Sequence, residues 1–226
     1  MAFYKKEAMT SSHLIIAIDG PSASGKGTIA VRLASHFGFA HLDTGLLYRA
    51  VGSAVLKAGG DPVDAEAAAK AARTLNYASL GDPALRDDGA ATAASKVAAI
   101  PEVRQALLQF QKDFCAHPPG GAEGAVLDGR DIGTVIAPQA PVKIYVTAST
   151  EARAERRFKE LQTRGESVTY AAVLMDMQTR DKRDSSRSVA PAKPALDAVI
   201  LDTTKMTADE AFAEALKIAN AVLATD

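Results

Sequence analysis

Two kinds of apolar spacing alternate along this chain of 226 residues. Short continuous apolar runs, such as residues 14–18 and 142–146, are typical of strands that are buried on both faces of a parallel sheet. Between such runs, apolar residues recur every three or four positions, as at Leu47, Val51 and Val55, which indicates the buried face of a helix. Strands that alternate with helices in this way predict an α/β fold in which helices flank a parallel sheet.

Further short strands are predicted at residues 39–42, 125–127 and 198–202, where apolar residues again form brief runs. A chain of this length suits one domain with a substantial core. We therefore expect residues 13–226 to form a single domain, preceded by a flexible extension over residues 1–12.

Capping residues mark where some of the helices should begin. Asp61 and Pro62 are of the types found at the cap and at the first position of a helix, so a helix start is predicted there. Thr207 and Glu210 form a capping box that opens the last helix. Over residues 80–90 the periodic pattern fades into Gly, Pro and Asp, which predicts a loop.

A phosphate-binding loop is predicted between the first strand and the first helix. Gly20, Gly25 and Lys26 have the spacing of a P-loop, and Thr28 comes one position later than usual because Gly27 intervenes. Glycines let successive backbone N–H groups point at phosphate oxygens, and the helix that follows adds its positive dipole end. A glycine-rich structural turn is the alternative, but the strand before the loop and the helix after it favour nucleotide binding.

Composition excludes several other classes of protein. A net charge of −1 and a pI near 6.4 argue against polymeric nucleic acid as a partner, since that partner requires a broadly basic surface. The single cysteine, Cys115, excludes an internal disulfide framework and is more typical of an inert buried thiol than of a nucleophile. No apolar run is long enough to span a membrane, and residues 1–12 lack the apolar segment of a signal peptide. We therefore expect a cytoplasmic protein without a membrane partner.

Arginines are concentrated between residues 149 and 187, which hold seven of the thirteen in the chain. One group shares a helical face, and a second group has the spacing i, i+3, i+4 and i+7 of another helix. The first group is Arg153, Arg156 and Arg157, and the second is Arg180, Arg183, Asp184 and Arg187. Two solvated helix faces would also explain the pattern. Together with the P-loop, it favours phosphoryl transfer, which needs several cations around the transferring phosphate.

Five motifs, in order along the chain, resemble those of bacterial cytidylate kinases. They are GPSASGKGT at residues 20–28, DTGLLYR at 43–49, ASKVA at 94–98 with PEVR at 101–104, DGRDIGT at 128–134, and RDKRDSSR at 180–187. Any one of them could mislead, but five in order make the resemblance specific. It extends from about Leu14 to the C-terminus.

This resemblance implies a P-loop NTPase three-layer fold and ATP-dependent phosphorylation of CMP and dCMP, a step of pyrimidine metabolism, with Mg²⁺ as cofactor. It also implies an acceptor-binding insertion at about residues 58–118 and a mobile lid at about residues 153–172. Between Leu75 and Ser95 the chain is shorter than in the longer bacterial members, whose insertion carries extra β-strands. The partners are then ATP and CMP or dCMP, and we expect a monomer.

Site residues follow from the resemblance, position by position. The residues implied for ATP are Gly20, Pro21, Ser22, Ala23, Ser24, Gly25, Lys26, Gly27 and Thr28, with Thr28 beside the Mg²⁺. Those implied for the acceptor are Arg49, Arg130 and Arg187 at its phosphate, Thr44, Ser95, Arg104 and Asp131 at cytosine, Arg180 and Asp184 at the ribose, and Tyr48 packed beside it. The implied catalytic cations are Lys26, Arg130, Arg153, Arg156, Arg157 and Arg187, three of them on the lid. The attacking phosphate oxygen is already anionic, so no strong base is needed.

Two other functions are compatible with the P-loop. A kinase for another nucleoside monophosphate or for a shikimate-like acceptor would keep the same donor chemistry, but it gives the polar set at the cytosine position no clear purpose. A non-enzymatic nucleotide switch of the GTPase kind needs an Asn-Lys-x-Asp motif, and neither Asn76 nor Asn220 belongs to one. The four histidines show no metal-ligand spacing, so we expect solvated or core roles for them.

Overall fold

Five parallel strands form the central sheet of the computed structural model, which describes residues 14–223. The strands are β1 (Leu14–Asp19), β2 (Ala40–Asp43), β3 (Gly124–Gly129), β4 (Val142–Thr147) and β5 (Val199–Asp202). Their order across the sheet is β2-β3-β1-β4-β5, and every pair is parallel. The predicted α/β fold with a parallel sheet is confirmed.

Helices cover both faces of this sheet and form a separate layer above its carboxyl edge. They are α1 (Lys26–Phe37), α2 (Thr44–Lys57), α3 (Ala65–Arg73), α4 (Asp88–Val97), α5 (Pro101–Ala116), α6 (Thr150–Thr163), α7 (Tyr170–Ser185) and α8 (Ala208–Leu223). On one face, α1 and α8 bury Leu33 and Ala215 against Ile16 and Ile18 of β1. On the other face, α5 and residues 132–140 pack on the sheet. None of the helices between residues 14 and 223 is long and apolar enough to cross a membrane.

A second apolar core joins α2 to α3, α4 and α5, the three helices that fall within the insertion expected at about residues 58–118. Leu47 and Val51 of α2 are fully buried against Val97 of α4 and against Val103 and Leu107 of α5. This core fixes α2 and α4 over the carboxyl ends of the strands, where ligands of open parallel sheets bind.

The predicted helix start at Asp61 and Pro62 is wrong. Helix α3 begins at Ala65, and Asp64 is its cap, with a carboxylate that accepts hydrogen bonds from the backbone N–H groups of Glu66 and Ala67. Asp61 instead accepts from the N–H of Val63 and closes a turn before the helix. Both aspartates are suitable caps, and which one opens the helix is decided by packing that the local sequence does not contain.

The predicted loop over residues 80–90 is also partly wrong. Two short 3₁₀ turns, Tyr77–Gly81 and Pro83–Arg86, occupy most of it, and α4 has already begun at Asp88. Arg187 lies beyond the end of α7, so it does not share a continuous helix with Arg180 and Asp184. The expected extension over residues 1–12 lies outside the described residues.

Candidate active site

The glycine-rich loop leaves the carboxyl end of β1 and leads directly into α1. Gly20 and Gly25 have φ values of 151° and 92°, in the region that favours glycine, and Gly25 is the residue that caps α1. A Cβ on Gly20 would lie 2.0 Å from the carbonyl oxygen of Val146, so the loop passes too close to β4 for any side chain. This is the geometry of a phosphate cradle at the N-terminus of a helix, where unpaired N–H groups and the positive dipole end favour an anion.

Lys26 follows this cradle, and its side chain is half-buried. Burial, followed by the charge of Arg130, lowers the pKa of Lys26 to about 7, while Asp128 and Asp43 act in the opposite direction. Among residues 14–223, its ammonium group donates one long hydrogen bond, 3.4 Å, to the carbonyl oxygen of Pro21. A phosphate brought to the loop would give this cation an anion in direct contact.

A cleft of about 260 Å³ opens between the P-loop, α2, α4, α6 and α7. It brings together all ten residues expected around the acceptor, which come from six separate parts of the chain. These are Thr44, Tyr48, Arg49, Ser95, Arg104, Arg130, Asp131, Arg180, Asp184 and Arg187. From the expected donor set, Ser22, Ala23, Lys26 and Gly27 also line it, whereas Gly25 and Thr28 line an adjoining cavity with His41, Asp43 and Asp128.

One end of the cleft is built around a buried ion pair. Arg104 of α5 donates to the carboxylate of Asp131, and both side chains are less than one-tenth exposed. Arg104 also donates to the carbonyl of Ala98 at 3.3 Å, and its guanidinium lies 5.5 Å from the ring centre of Tyr48. Burial raises the pKa of Tyr48 to about 12, so the ring remains neutral. This end therefore offers one carboxylate, one guanidinium and one aromatic ring within a single pocket.

Asp184 of α7 organises the centre of the cleft. It accepts a hydrogen bond from the hydroxyl of Ser95 at 3.1 Å and another from Nε of Arg130 at 3.1 Å. Burial would raise the pKa of Asp184, but Arg130, Arg180 and Arg187 together hold it below its usual value. Arg130 also donates from Nη1 to the carbonyl of Gly20 at 2.7 Å, which ties the acceptor side to the P-loop.

Two arginines of the cleft retain donors without partners. Within residues 14–223, Nε and Nη2 of Arg187 and Nε of Arg180 are buried and have no hydrogen-bond acceptor. Burial, followed by the charge of Arg130, lowers the pKa of Arg180 to about 10. Buried donors without acceptors are costly, and these converge on the cleft, which is suited to an anion with several oxygens.

The three arginines of α6 make different contacts in this structure. Arg157 lines the cleft and pairs with Asp88 and Glu160. The guanidinium groups of Arg153 and Arg156 lie outside the cleft and hold the outer side of the P-loop, donating to the carbonyls of Ser22 at 3.3 Å and of Ala23 at 3.4 Å. Helical spacing placed all three on α6, but their direction depends on partners elsewhere in the chain.

These groups form a basic cleft beside a phosphate loop, and comparison with known proteins identifies the family. The family model described as cytidylate kinase matches residues 16–221. The chain belongs to the cytidylate kinase family. The resemblance indicated by the five motifs is thus confirmed, and the chain is an enzyme of the nucleoside monophosphate kinase class.

Several cytidylate kinases are similar over nearly their whole length. The chain is 62% identical over 205 residues to that of Rhodospirillum rubrum, an alignment covering 91% of this chain and 96% of the relative. It is 61% identical over 204 residues to that of Paramagnetospirillum magneticum, with 90% and 96% covered. The crystal structure of an uncharacterized protein from Eubacterium ventriosum superposes with a TM-score of 0.52 at 16% identity, covering 90% of this chain and 96% of that one, a likeness of fold alone.

Sequence reasoning missed several residues that shape this cytidylate kinase cleft. Arg86 and Arg164 line it, and neither belongs to one of the five motifs. His41 contacts the carboxylate of Asp128 with its Nε2 at 2.9 Å, although its sequence position signals no role. Asp181 pairs with Arg153 and was visible only as part of the last motif. Asp19, at the end of β1, accepts hydrogen bonds from the backbone N–H groups of Ile132 and Gly133, which follow Asp131.

Proposed function

We propose that this member of the cytidylate kinase family transfers the γ-phosphoryl group of ATP to CMP and dCMP, yielding CDP and dCDP. The observation that carries the proposal is the buried pair of Arg104 and Asp131, which lies in the same cleft as Lys26 and the P-loop. A donor site and a polar site for a flat base thus face each other across one cavity.

Cytosine fits the Arg104 and Asp131 end of the cleft. Its exocyclic amino group is a donor that the carboxylate of Asp131 can accept, and its ring nitrogen and carbonyl can accept from Arg104. Uracil presents a carbonyl where cytosine has the amino group, so a carboxylate there would face another acceptor. A site that leaves buried polar groups unpaired with the wrong base discriminates strongly. Thr44 and Ser95 also line this cleft with hydroxyl groups.

In the proposed reaction the acceptor phosphate lies among Arg49, Arg130 and Arg187, and Arg180 and Asp184 hold the ribose. An oxygen of this phosphate attacks the γ-phosphorus, a new P–O bond forms, and the bond to the bridging oxygen of ADP breaks. The loose transition state carries its charge on peripheral oxygens, so alignment and cations supply the catalysis. Lys26 and Arg157 are the cations nearest the donor side, and Arg153 and Arg156 act by fixing the loop that holds the donor.

Mg²⁺ is part of the proposal, and the donor set fits it. Thr28 in the first turn of α1, Asp43 and Asp128 line the cavity next to the P-loop, and all three offer oxygen ligands. Among the described residues there is no cluster of three or more acidic, histidine or cysteine side chains able to hold a metal ion. This is consistent with Mg²⁺, which prefers one or two carboxylates together with substrate phosphates and water. When bound, the ion neutralises charge on the phosphates of ATP.

Burial, reinforced by the nearby charge of Asp128, raises the pKa of Asp43. Two carboxylates that repel each other beside a phosphate loop would favour the binding of a divalent cation by Asp43 and Asp128.

The insertion and lid expected near residues 58–118 and 153–172 would supply the two walls that close over the substrates.

Equilibrium binding tests the proposed acceptor. CMP, dCMP, UMP and AMP are titrated calorimetrically into the protein and into its Asp131→Ala variant. We expect the cytidine nucleotides to bind most tightly to the unchanged protein, and we expect Asp131→Ala to weaken them at least about tenfold while leaving ATP affinity nearly unchanged. Equal losses for CMP and ATP would remove Asp131 from the acceptor site, and tighter binding of UMP or AMP would overturn the assignment.

A further inference from the structure

Asp19 is a buried carboxylate that does not line the cleft, yet it holds the loop that does. It is the last residue of β1 and is only 4% exposed. One oxygen accepts a hydrogen bond from the backbone N–H of Ile132 and the other from the N–H of Gly133, both at 2.8 Å. These two residues follow Asp131 directly in the chain.

The N–H groups bound by Asp19 are the first two of a short π-helical turn, Ile132–Ile136. Asp131 occupies the capping position of this turn, with φ −147° and ψ 26°. An aspartate at such a position ordinarily uses its own carboxylate to accept from the second or third N–H of the turn, here that of Gly133 or Thr134. Among residues 14–223, the side chain of Asp131 makes no such capping hydrogen bond and instead pairs with Arg104 in the cleft, while Asp19 accepts from Gly133.

We propose that Asp19 is a positioning residue for base recognition, because it caps the turn in place of Asp131 and so leaves the Asp131 carboxylate facing the base. One carboxylate cannot both cap the turn and face the base, so Asp19 does the first and Asp131 the second. This inference rests on the proposed function, in which Asp131 accepts from the amino group of cytosine.

A second contact at the same junction supports this role. Gly20, the neighbour of Asp19, accepts a hydrogen bond from Nη1 of Arg130 at 2.7 Å. Residues 19 and 20 therefore hold residues 130–133 from two sides, and the start of the P-loop sets the position of the acceptor loop. Burial raises the pKa of Asp19 to about 6, against the opposing effect of the two N–H groups. A buried carboxylate kept in spite of this cost is expected where both of its oxygens are needed.

Asp19→Asn is the decisive variant, because it keeps the size of the side chain but has only one acceptor oxygen. Its NH₂ group must face one of the two N–H donors, so that donor loses its acceptor and the turn that positions Asp131 loosens. In the ligand-free protein, we expect amide hydrogen exchange at Ile132 or Gly133 to accelerate at least about tenfold. Asp113→Asn, an exposed change on α5, is the matched control and should leave these amides as they are.

Binding measurements then test the functional consequence. Asp19→Asn should weaken CMP at least about tenfold and leave a non-hydrolysable ATP analogue within about twofold. In a double-mutant cycle with Asp131→Asn, the combined variant should lose no more CMP affinity than Asp131→Asn alone, since both changes remove the same contact.

The possible failures are distinguishable. If Asp131→Asn weakens CMP but Asp19→Asn does not, or if the two losses are additive, the positioning role is overturned and the proposed function stands. If Asp131→Asn leaves CMP binding unchanged, the base assignment of the proposed function fails, and the role of Asp19 fails with it. Equal weakening of CMP and the ATP analogue by Asp19→Asn would indicate general damage and would also overturn the inference.

Discussion

Arg153 and Asp181 form a two-pronged ion pair that joins α6 to α7, with Nη2 to Oδ2 at 2.6 Å and Nη1 to Oδ1 at 3.2 Å. The same guanidinium donates to the carbonyls of Ala148 and Ser22, so it links both helices to the P-loop. Its side chain is only 4% exposed. In this arrangement Arg153 supports the donor loop, whereas Arg157, one turn along α6, faces the cleft.

Alanine substitutions at these two arginines should therefore have opposite signatures. Arg153→Ala removes the buried partner of a pair whose carboxylate is 29% exposed, together with the donor to two carbonyls, and should lower the free energy of unfolding by about 1–3 kcal/mol. Arg157→Ala breaks ion pairs with Asp88 and Glu160, which are nearly half exposed, and should cost less than about 1 kcal/mol. Urea unfolding measures both values. In steady-state assays Arg157→Ala should lower kcat by about a hundredfold, because it removes a cation from the transferring phosphate.

Two results would contradict these separate roles of Arg153 and Arg157. A well-folded Arg153→Ala protein with unchanged stability and a large loss of kcat would show that Arg153 leaves Asp181 and contacts the substrates. Arg157→Ala with normal kcat would remove Arg157 from the catalytic cations.

Gly20→Ala tests the geometry of the P-loop, and Gly89→Ala on α4 is its control. Gly20→Ala would place a Cβ 2.0 Å from the carbonyl of Val146 at a φ of 151°, so we expect severe destabilisation and loss of ATP binding. In Gly89→Ala, in the first turn of α4, the new Cβ meets no atom of residues 14–223 within 4 Å, so the change should stabilise the protein by up to about 1 kcal/mol. Thermal unfolding and ATP titration compare the two. A Gly20→Ala protein that binds ATP normally would contradict the close packing of the P-loop against β4.

Asp19 should give the protein an unusual dependence of stability on pH. Its pKa is about 6 in the folded protein and 3.8 as its ordinary value, so between these pH values the folded state keeps a proton that the unfolded state releases. The stability of the unchanged protein relative to Asp19→Asn should then fall by up to about 3 kcal/mol as pH rises from 4 to 7, and most of the fall should come below pH 6. Urea unfolding of both proteins at several pH values measures the difference. A difference independent of pH would contradict a raised pKa.

Cys115 should be an unreactive thiol. Burial raises its pKa to about 11, so at pH 8 only roughly a thousandth of it is thiolate. Mass spectrometry can monitor the alkylation of Cys115 by iodoacetamide. The alkylation rate should be roughly a hundredfold lower than that of free cysteine, and it should rise to the rate of free cysteine when the protein is unfolded in denaturant. Labelling of the folded protein at the rate of free cysteine would show an exposed, activated thiol.

Much of the cleft could be predicted because its residues lie in short contiguous motifs. The glycines of the P-loop followed from their spacing and the parallel sheet from short apolar runs. The ten residues expected around the acceptor came from the resemblance of the five motifs; they line one cleft, and their roles toward the acceptor stay predictions. The start of α3 was not predictable, since Asp61 and Asp64 are both good caps.

The sequence does not indicate which way long side chains point or which partners they reach. The partner of Arg153 lies 28 residues away and that of Asp19 lies 113 residues away, and neither pairing leaves a local pattern. Asp19 precedes the P-loop and resembles any polar residue at the end of a buried strand. Contacts of this kind are set by how β1, α6 and α7 pack, and they became visible only in the folded structure.

Coupled ADP-release assays with ATP and a panel of acceptors test the central claim most directly. With CMP, dCMP, UMP, AMP and shikimate offered separately, kcat/KM should be highest for CMP or dCMP. It should be at least about a hundredfold lower for UMP, because the carboxylate of Asp131 would face a carbonyl. A higher kcat/KM for UMP, AMP or shikimate than for either cytidine nucleotide would contradict the account.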